Sequence, residues 1–199
     1  VDTGVLHLDE PYTYAFNPNP DYSTLSCGDL VEIPFGSRTV RGYVLRETQP
    51  IDSPKFVKRK ISFSPLFTPE QLELFQEVSS RYGCSLWDVM RLALPAYSKT
   101  SDRQETEHME VSLGSKQTHI AFTLKVGAAR YASIINLARK AKQSKVLIVV
   151  PNVRDVAPLV ALGATPVDSN EGKAKSFEEY MKANYATGIF VGLRSSIFL

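Results

Sequence analysis

The apolar residues of this chain change rhythm once, and that change limits the folds open to it. Up to about residue 97 they alternate with polar residues or trace amphipathic stripes; after residue 110 they arrive as continuous blocks separated by helical patterns. Alternation suits a sheet with one wet face, and continuous blocks suit strands of a parallel sheet buried on both faces. Two domains are therefore expected, residues 1–97 and 111–199. Residues 98–110, "SKTSDRQETEHME", carry many charges and hydroxyls and read as a linker. At 199 residues the chain can give each domain a core.

In the front region "GVLHL" (4–8), "YTYAF" (12–16), "DLVEIPF" (29–35) and "TVRGYVLRE" (39–47) have strand character, with Pro, Gly, Asn and Ser between them. Val31, Ile33 and Phe35 fall on one face, "GSR" turns the chain, and Val40 and Val44 return to the same side. This predicts a hairpin in a small antiparallel barrel or sheet of the OB-like or SH3-like kind. A helix follows, with Thr68 as N-cap, Pro69 at its first position, Gln71 closing a capping box, and Phe67 placed to staple onto Leu72. Its predicted buried stripe is Leu72, Phe75, Val78 and Tyr82, ending at Gly83. A second helix runs from Ser85 through Leu86, Val89, Met90 and Ala93 until Pro95 stops it. The front domain is expected to be α+β.

The rear region predicts strands at "HIAFTL" (119–124), "KVLIVVP" (145–151), "ATPV" (164–167) and "GIFVGL" (188–193). Helices are predicted at "YASIINLARKAK" (131–142), "DVAPLVAL" (155–162) and "SFEEYMKANY" (176–185). This alternation implies an α/β domain, Rossmann-like, with a mostly parallel sheet.

Hydrophobic residues at 43% and charged residues at 22% are ordinary for a globular protein, and no apolar run is long enough to span a membrane. The first residue is Val and no signal segment follows, so a trimmed chain without an export address is expected. The other end, "GIFVGLRSSIFL", stops inside an apolar stretch, which reads as a piece of something longer. Cys27 and Cys84 are isolated and read as free thiols of a reducing cytoplasm, and His7, His108 and His119 form no metal-ligand pattern, so no metal is assigned. No GxSxG occurs, and a serine nucleophile is not supported. The net charge of +2 does not by itself announce nucleic acid. "KFVKRK" (55–60) reads either as a solvated face or, with Arg38 and Arg41, as a phosphate-binding patch. Trp87 reads as packing, "ARKAK" (138–142) as an exposed helix face, and Glu178 and Glu179 as solvent-facing.

"DLVEIPFGSRTVRGYVL" followed by "FTPEQLELFQEVSSRYGCSLWDVMRLALP" resembles the N-terminal 3′-end DNA-binding domain of the PriA replication-restart family. That family's pattern is a GD-V-VPFG hairpin and then a helix pair ending in ALP. "VLIVVPN" and "IFVGLRSSIF" resemble its first helicase lobe. The resemblance implies capture of the 3′-terminal nucleotide by an aromatic-Asp-Tyr segment, the glycine of PFG and a downstream lysine. The matching positions are Tyr12, Thr13 and Tyr14, then Gly36 with Ser37 and Arg38 beside it, and Lys58. Stacking on an aromatic ring, close approach at a glycine and neutralisation of a phosphate suit that task. Thr13 stands where the family has aspartate; its hydroxyl can accept a hydrogen bond from a 3′-OH, without the charge that strengthens such a bond.

By the same resemblance the family's GxTGSGKT loop falls on residues 122–129, Phe122 to Ala129. Only Gly127 is kept. Ala128 and Ala129 replace the lysine and hydroxyl that grip the terminal phosphates and the magnesium ion; Lys125 is three residues out of place. A winged-helix segment between the two domains is missing, and the family's zinc-binding cysteines would lie beyond Leu199. The reading that follows is a non-hydrolysing protein that binds stalled or branched forks at the 3′ end of the nascent strand. It would need no cofactor in this chain and would work with single-stranded DNA-binding protein and primosome proteins in restart. The alternatives are an active ATP-dependent 3′-5′ helicase completed by a further C-terminal region, and a protein-interaction scaffold.

Overall fold

The structure is a computed structural model, described for residues 10–18, 24–99, 121–124, 127–141, 145–167 and 172–199. The expected strand at 4–8 and most of the expected linker at 98–110 lie outside the described residues. The chain divides into two compact units, the first reaching Arg103 and the second beginning at Gln104.

The first unit is built on a three-stranded antiparallel sheet of β1 (Leu30–Phe35), β2 (Arg38–Tyr43) and β3 (Arg59–Lys60), in the order β2-β1-β3. It is an open sheet and not the barrel that was one of the expected forms. Ile33 pairs with Val40, so the two share a face as the alternation requires. The segment 12–16 was expected to be a strand, but it makes a single parallel bridge, Ala15 with Phe56. Beyond Tyr43, residues 44–47 are not strand, although Val44 still exchanges backbone hydrogen bonds with the chain at Gly28 and Asp29.

The central strand starts from a buried ion pair. The Asp29 carboxylate is fully buried; it accepts from the Ser26 N–H at 2.7 Å and pairs with Lys60 Nζ at 2.7 Å. One residue earlier, Gly28 has φ +90 and lies so close to the chain ahead of the first helix that a Cβ would sit 2.1 Å from the Phe67 carbonyl oxygen. Only glycine satisfies both conditions. The Leu30 N–H donates to Ser62 Oγ at 2.9 Å, and the Leu66 N–H donates to the Gly28 carbonyl at 2.9 Å. The start of β1 is thus tied to both ends of the 60–66 segment.

Two helices cover the sheet, α1 (Pro69–Tyr82) and α2 (Leu86–Ala93). The capping box is present: the Gln71 N–H donates to Thr68 Oγ1, and the Thr68 N–H donates to Gln71 Oε1 at 2.8 Å. Ser85 caps α2 by accepting from the Asp88 N–H at 3.0 Å. Rings of Trp87, Tyr43, Phe67 and Phe75 form a chain with centroids 5.6 to 5.7 Å apart, joining β2 to both helices. Trp87 is therefore a packing residue. The predicted α1 stripe is shorter than expected: Leu72 and Phe75 are buried and Val78 half-buried, but Tyr82 is 76% exposed. The last turn runs past the surface on which the helix packs.

The second unit contains α3 (Ala129–Lys140), β4 (Lys145–Val149), α4 (Val156–Ala161), β5 (Thr165–Pro166), α5 (Lys173–Tyr185) and β6 (Gly188–Gly192). Its sheet is parallel, in the order β4-β6-β5. One face packs Ile148, Ile189 and Val191 against Ile135 of α3 and Leu159 of α4. The other packs Leu147 and Phe190 with Ala183 of α5. This is why these strands lack polar alternation. The expected first strand is a correction: of its residues only 121–124 are described, and they are irregular and exposed, Phe122 at 61%. An apolar block does not make a strand without a paired edge. A second correction concerns Glu179, which is buried while Glu178 is exposed. Helix α5 buries Phe177, Tyr180, Met181, Ala183 and Tyr185 as well, an arc wider than one stripe. Among the described residues no helix is long and apolar enough to cross a membrane.

Replacing Asp29 by Ala should cost the first unit about 3–5 kcal/mol, because the largely buried Lys60 ammonium is left without its counter-charge. An apolar replacement of both partners should recover most of that loss. Gly28→Ala should be at least as damaging. Urea titrations read through the chain's single tryptophan, Trp87, check all three.

Candidate nucleic-acid interface

The hairpin of β1 and β2 closes in a two-residue turn, with Phe35 paired to Arg38 across it. Gly36 has φ +58, and Ser37 is not in the left-handed region, the pattern of a II′ turn with glycine first. Both turn residues are exposed, and so is Arg38.

The segment carrying Tyr12, Thr13 and Tyr14 lies against this end of β1. The Tyr12 ring meets Phe35 nearly edge-on, with centroids 5.2 Å apart at 81°. Tyr14 Oη donates to the Pro34 carbonyl at 2.9 Å. Burial, and secondarily Tyr12, push the Tyr14 phenol above its ordinary pKa, so it stays a neutral donor. Thr13 is half-buried between them. The Ala15 N–H donates to the Lys55 carbonyl at 2.8 Å and the Val57 N–H to the Ala15 carbonyl at 2.9 Å, which lays the 55–57 strip alongside. The Lys58 N–H then donates to the Glu32 carbonyl at 2.8 Å, and Lys58 Nζ donates to Thr39 Oγ1 at 2.5 Å. Thr39 is the cross-strand partner of Pro34. The seven residues proposed from sequence, Tyr12, Thr13, Tyr14, Gly36, Ser37, Arg38 and Lys58, thus gather at the turn end of one hairpin, although Lys58 and Tyr14 are 44 positions apart in the numbering.

Carboxylates sort the cations of this region. Glu32 lies between Arg41 on β2 and Arg59 on β3 in a cross-strand row. Arg59 grips it with two hydrogen bonds, Nε at 2.6 Å and Nη2 at 2.7 Å. The Arg59 hydrogen bond, helped by the charges of Arg59, Arg41 and Lys58, holds the Glu32 carboxyl below the usual glutamate range. Lys60 is committed to Asp29. Of the four cations in "KFVKRK", two are therefore neutralised locally. Lys55 and Lys58, with Arg38 and Arg41, are exposed and make no ion pair among the described residues. The Glu32–Arg59 and Asp29–Lys60 pairs were not anticipated from sequence; the only available signal was alternation placing Glu32 opposite basic strand positions.

The second unit has its own polar cluster where the family's phosphate loop was aligned. Gly127 and Ala128 are exposed ahead of α3, Ala129 is its first residue, and no side chain caps the helix. Lys125 lies outside the described residues. In the first turn of α3 the Arg130 guanidinium lies 4.7 Å from the centre of the Tyr131 ring. Arg130 Nη2 donates to Tyr131 Oη at 2.7 Å and to Asp155 Oδ1 at 2.5 Å, and Tyr131 Oη donates to the same carboxylate oxygen at 2.6 Å. The Tyr131 hydrogen bond first, and then Arg130, lower the Asp155 pKa. Among the described residues no group of His, Cys, Asp and Glu could hold a metal ion. Cys27 and Cys84 are free and half-buried, and burial, with Asp29 and Glu70, raises the Cys27 thiol.

A glycine turn with the Tyr12 and Phe35 rings beside it, and with Arg38 and Lys58 unpaired by any carboxylate among the described residues, has the residue types of a nucleic-acid-binding surface. Residues 2–95 match the family model of the 3′DNA-binding domain (3′BD) of PriA. Relatives include the probable replication restart protein PriA of Mycobacterium tuberculosis and that of Mycobacterium bovis. Each is 31% identical over 105 residues, covering 51% of this chain and 16% of the relative. The aligned stretch is thus a small part of those proteins' length.

Glu32→Gln should remove the carboxylate that neutralises Arg59. The expected result is tighter binding of single-stranded DNA, with the slope of log affinity against log salt steeper by up to about 0.7. Because the folded-state pKa of Glu32 is lowered, its ion pair stabilises above the ordinary glutamate range and fades as pH falls through the depressed value. In an exposed pair this is worth no more than about 1 kcal/mol. The variant's acid limb, followed by urea titrations at stepped pH, should be correspondingly flatter.

Proposed function

We propose that this protein binds stalled or branched replication-fork DNA at the 3′ end of the nascent strand and supports replication restart, without hydrolysing ATP. The observation that carries this reading is the gathering of Tyr12, Thr13, Tyr14, Gly36, Ser37, Arg38 and Lys58 at one hairpin end, within a segment that matches a 3′DNA-binding domain. In this reading Tyr12, 39% exposed, offers ring surface to the terminal base. The Gly36–Ser37 turn lets the backbone approach the sugar, and Lys58 with Arg38 neutralises the adjoining phosphate. Thr13 accepts a hydrogen bond from the 3′-OH. Its neutral oxygen makes end recognition weaker than a carboxylate would.

The second unit serves as a helicase-lobe-like platform. Its parallel sheet and helices fit that role, and two methyl side chains stand where phosphoryl transfer needs a lysine and a magnesium-binding hydroxyl. Single-stranded DNA-binding protein and primosome proteins are the partners this role requires.

Titration with duplexes carrying a free or a phosphorylated 3′ end should show tighter binding to the free end. Thr13→Asp should widen that preference by about fivefold, the difference of about 1 kcal/mol between a neutral and a charge-assisted hydrogen bond. Equal, negligible binding to both ends would favour the scaffold reading. An ATPase assay with forked DNA should show no stimulated hydrolysis, and turnover in the range of an ordinary helicase would refute the non-hydrolysing assignment.

A further inference from the structure

We propose that Phe56 is a second base-stacking platform, which takes an internal base of a single-stranded 3′ tail, upstream of the terminal nucleotide. The inference rests on the end-binding reading above and extends it along the strand. Phe56 is 48% exposed, yet its backbone is held: the neighbouring Lys55 carbonyl and Val57 N–H both bond to Ala15. Residues opposed across a bridge present their side chains on the same side, and the residue opposite Phe56 is only an alanine. The small partner leaves the ring uncovered. Thr13, two residues from Ala15 in an extended segment, falls on that same side, whereas Tyr12 and Tyr14 are engaged with Phe35 and Pro34.

The charges around the ring suit the same role. Lys55 and Lys58 flank Phe56 in sequence, are exposed and carry no carboxylate partner among the described residues, while Arg59 and Lys60 are held by Glu32 and Asp29. An anchored aromatic ring beside cations that no carboxylate neutralises is what a base and its flanking phosphates require. Ala15 lies three residues beyond Tyr12, on the order of 10 Å along an extended chain, too far for one nucleotide's base to serve both rings.

The test uses the full chain and tailed duplexes with 2-aminopurine either at the 3′ terminus or a few nucleotides inward. Binding by the parent protein should change the emission at both positions. Phe56→Ala should abolish the inward change, keep the terminal one, and weaken tail binding about 5- to 150-fold, the range of one base–aromatic stack; Phe56→Trp should restore both. Unaltered Trp87 emission and circular dichroism in Phe56→Ala would show that the fold is kept. An inward signal unaffected by Phe56→Ala would overturn the platform while leaving end recognition standing. Loss of the terminal signal together with the inward one, in a folded variant, would also overturn it, by assigning Phe56 to the terminal base. Failure of the parent to bind either probe would overturn both readings.

Discussion

The first unit depends on one buried contact, the Asp29 carboxylate against the Lys60 ammonium. A buried carboxylate without a counter-charge would cost several kcal/mol, so the sheet has to bring β3 beside β1 in the register that puts Lys60 near Asp29. Once Lys60 is fixed, the residues before it have little freedom. Arg59 falls opposite Glu32, the Lys58 N–H meets the Glu32 carbonyl, and the 55–57 strip is delivered to Ala15. Gly28 sets the same constraint from the other side, since its approach to Phe67 positions α1 relative to the start of β1. The surface at the hairpin end is therefore positioned by a contact buried at the opposite end of the same strand.

The same contact settles which charges remain for a polyanion. A stretch as basic as "KFVKRK" invites a uniform electrostatic reading, but pairing divides it. Lys60 serves the core, Arg59 serves the sheet face through Glu32, and Lys55 and Lys58 are left over beside Arg38 and Arg41. Counting phosphate contacts from sequence would overstate the salt dependence, because a cation held in a bidentate pair releases no counterion until the pair breaks. A protein with a net charge of only +2 can still present a local cationic surface when its carboxylates sit on the sheet face or in the core.

Much of this was legible in the sequence wherever a local rule decides. The α1 capping box, Ser85 at the start of α2, the hairpin from Leu30 to Tyr43 and the parallel strands at 145–149 and 188–192 follow from side-chain period and cap chemistry, and the structure carries them as read. What was not legible depends on partners distant in sequence. The 12–16 segment has strand composition but forms one bridge, because its neighbour is the short 55–57 strip and not a full strand. The 121–124 segment was read as an apolar block, but its residues are not paired as a strand. Tyr82 keeps the helical spacing of the core, yet lies beyond what α1 covers, and Glu179 is buried because α5 is enclosed on a wide arc. The Arg130–Tyr131–Asp155 cluster could not be inferred, since it joins the start of α3 to a residue 25 positions away from Arg130. The site residues were grouped through family resemblance, and the physical cause of their grouping, the Lys58 and Tyr14 hydrogen bonds, is long-range.

The parallel sheet of the second unit is held by apolar packing on both of its faces. Its packing on one face comes from Ile135, Leu159 and Val191, and on the other from Val167, Ala183 and Phe190. Gly127, Ala128 and Ala129 contribute nothing buried. These three exposed residues are not part of either packed face. What holds the start of α3 is the Asp155 carboxylate, which takes hydrogen bonds from Arg130 and Tyr131. With a carboxylate supplied by the chain itself, Arg130 already has its anion, and recruiting it to a phosphate would require breaking the charge-assisted bond to Asp155. Arg130 is therefore committed within the fold.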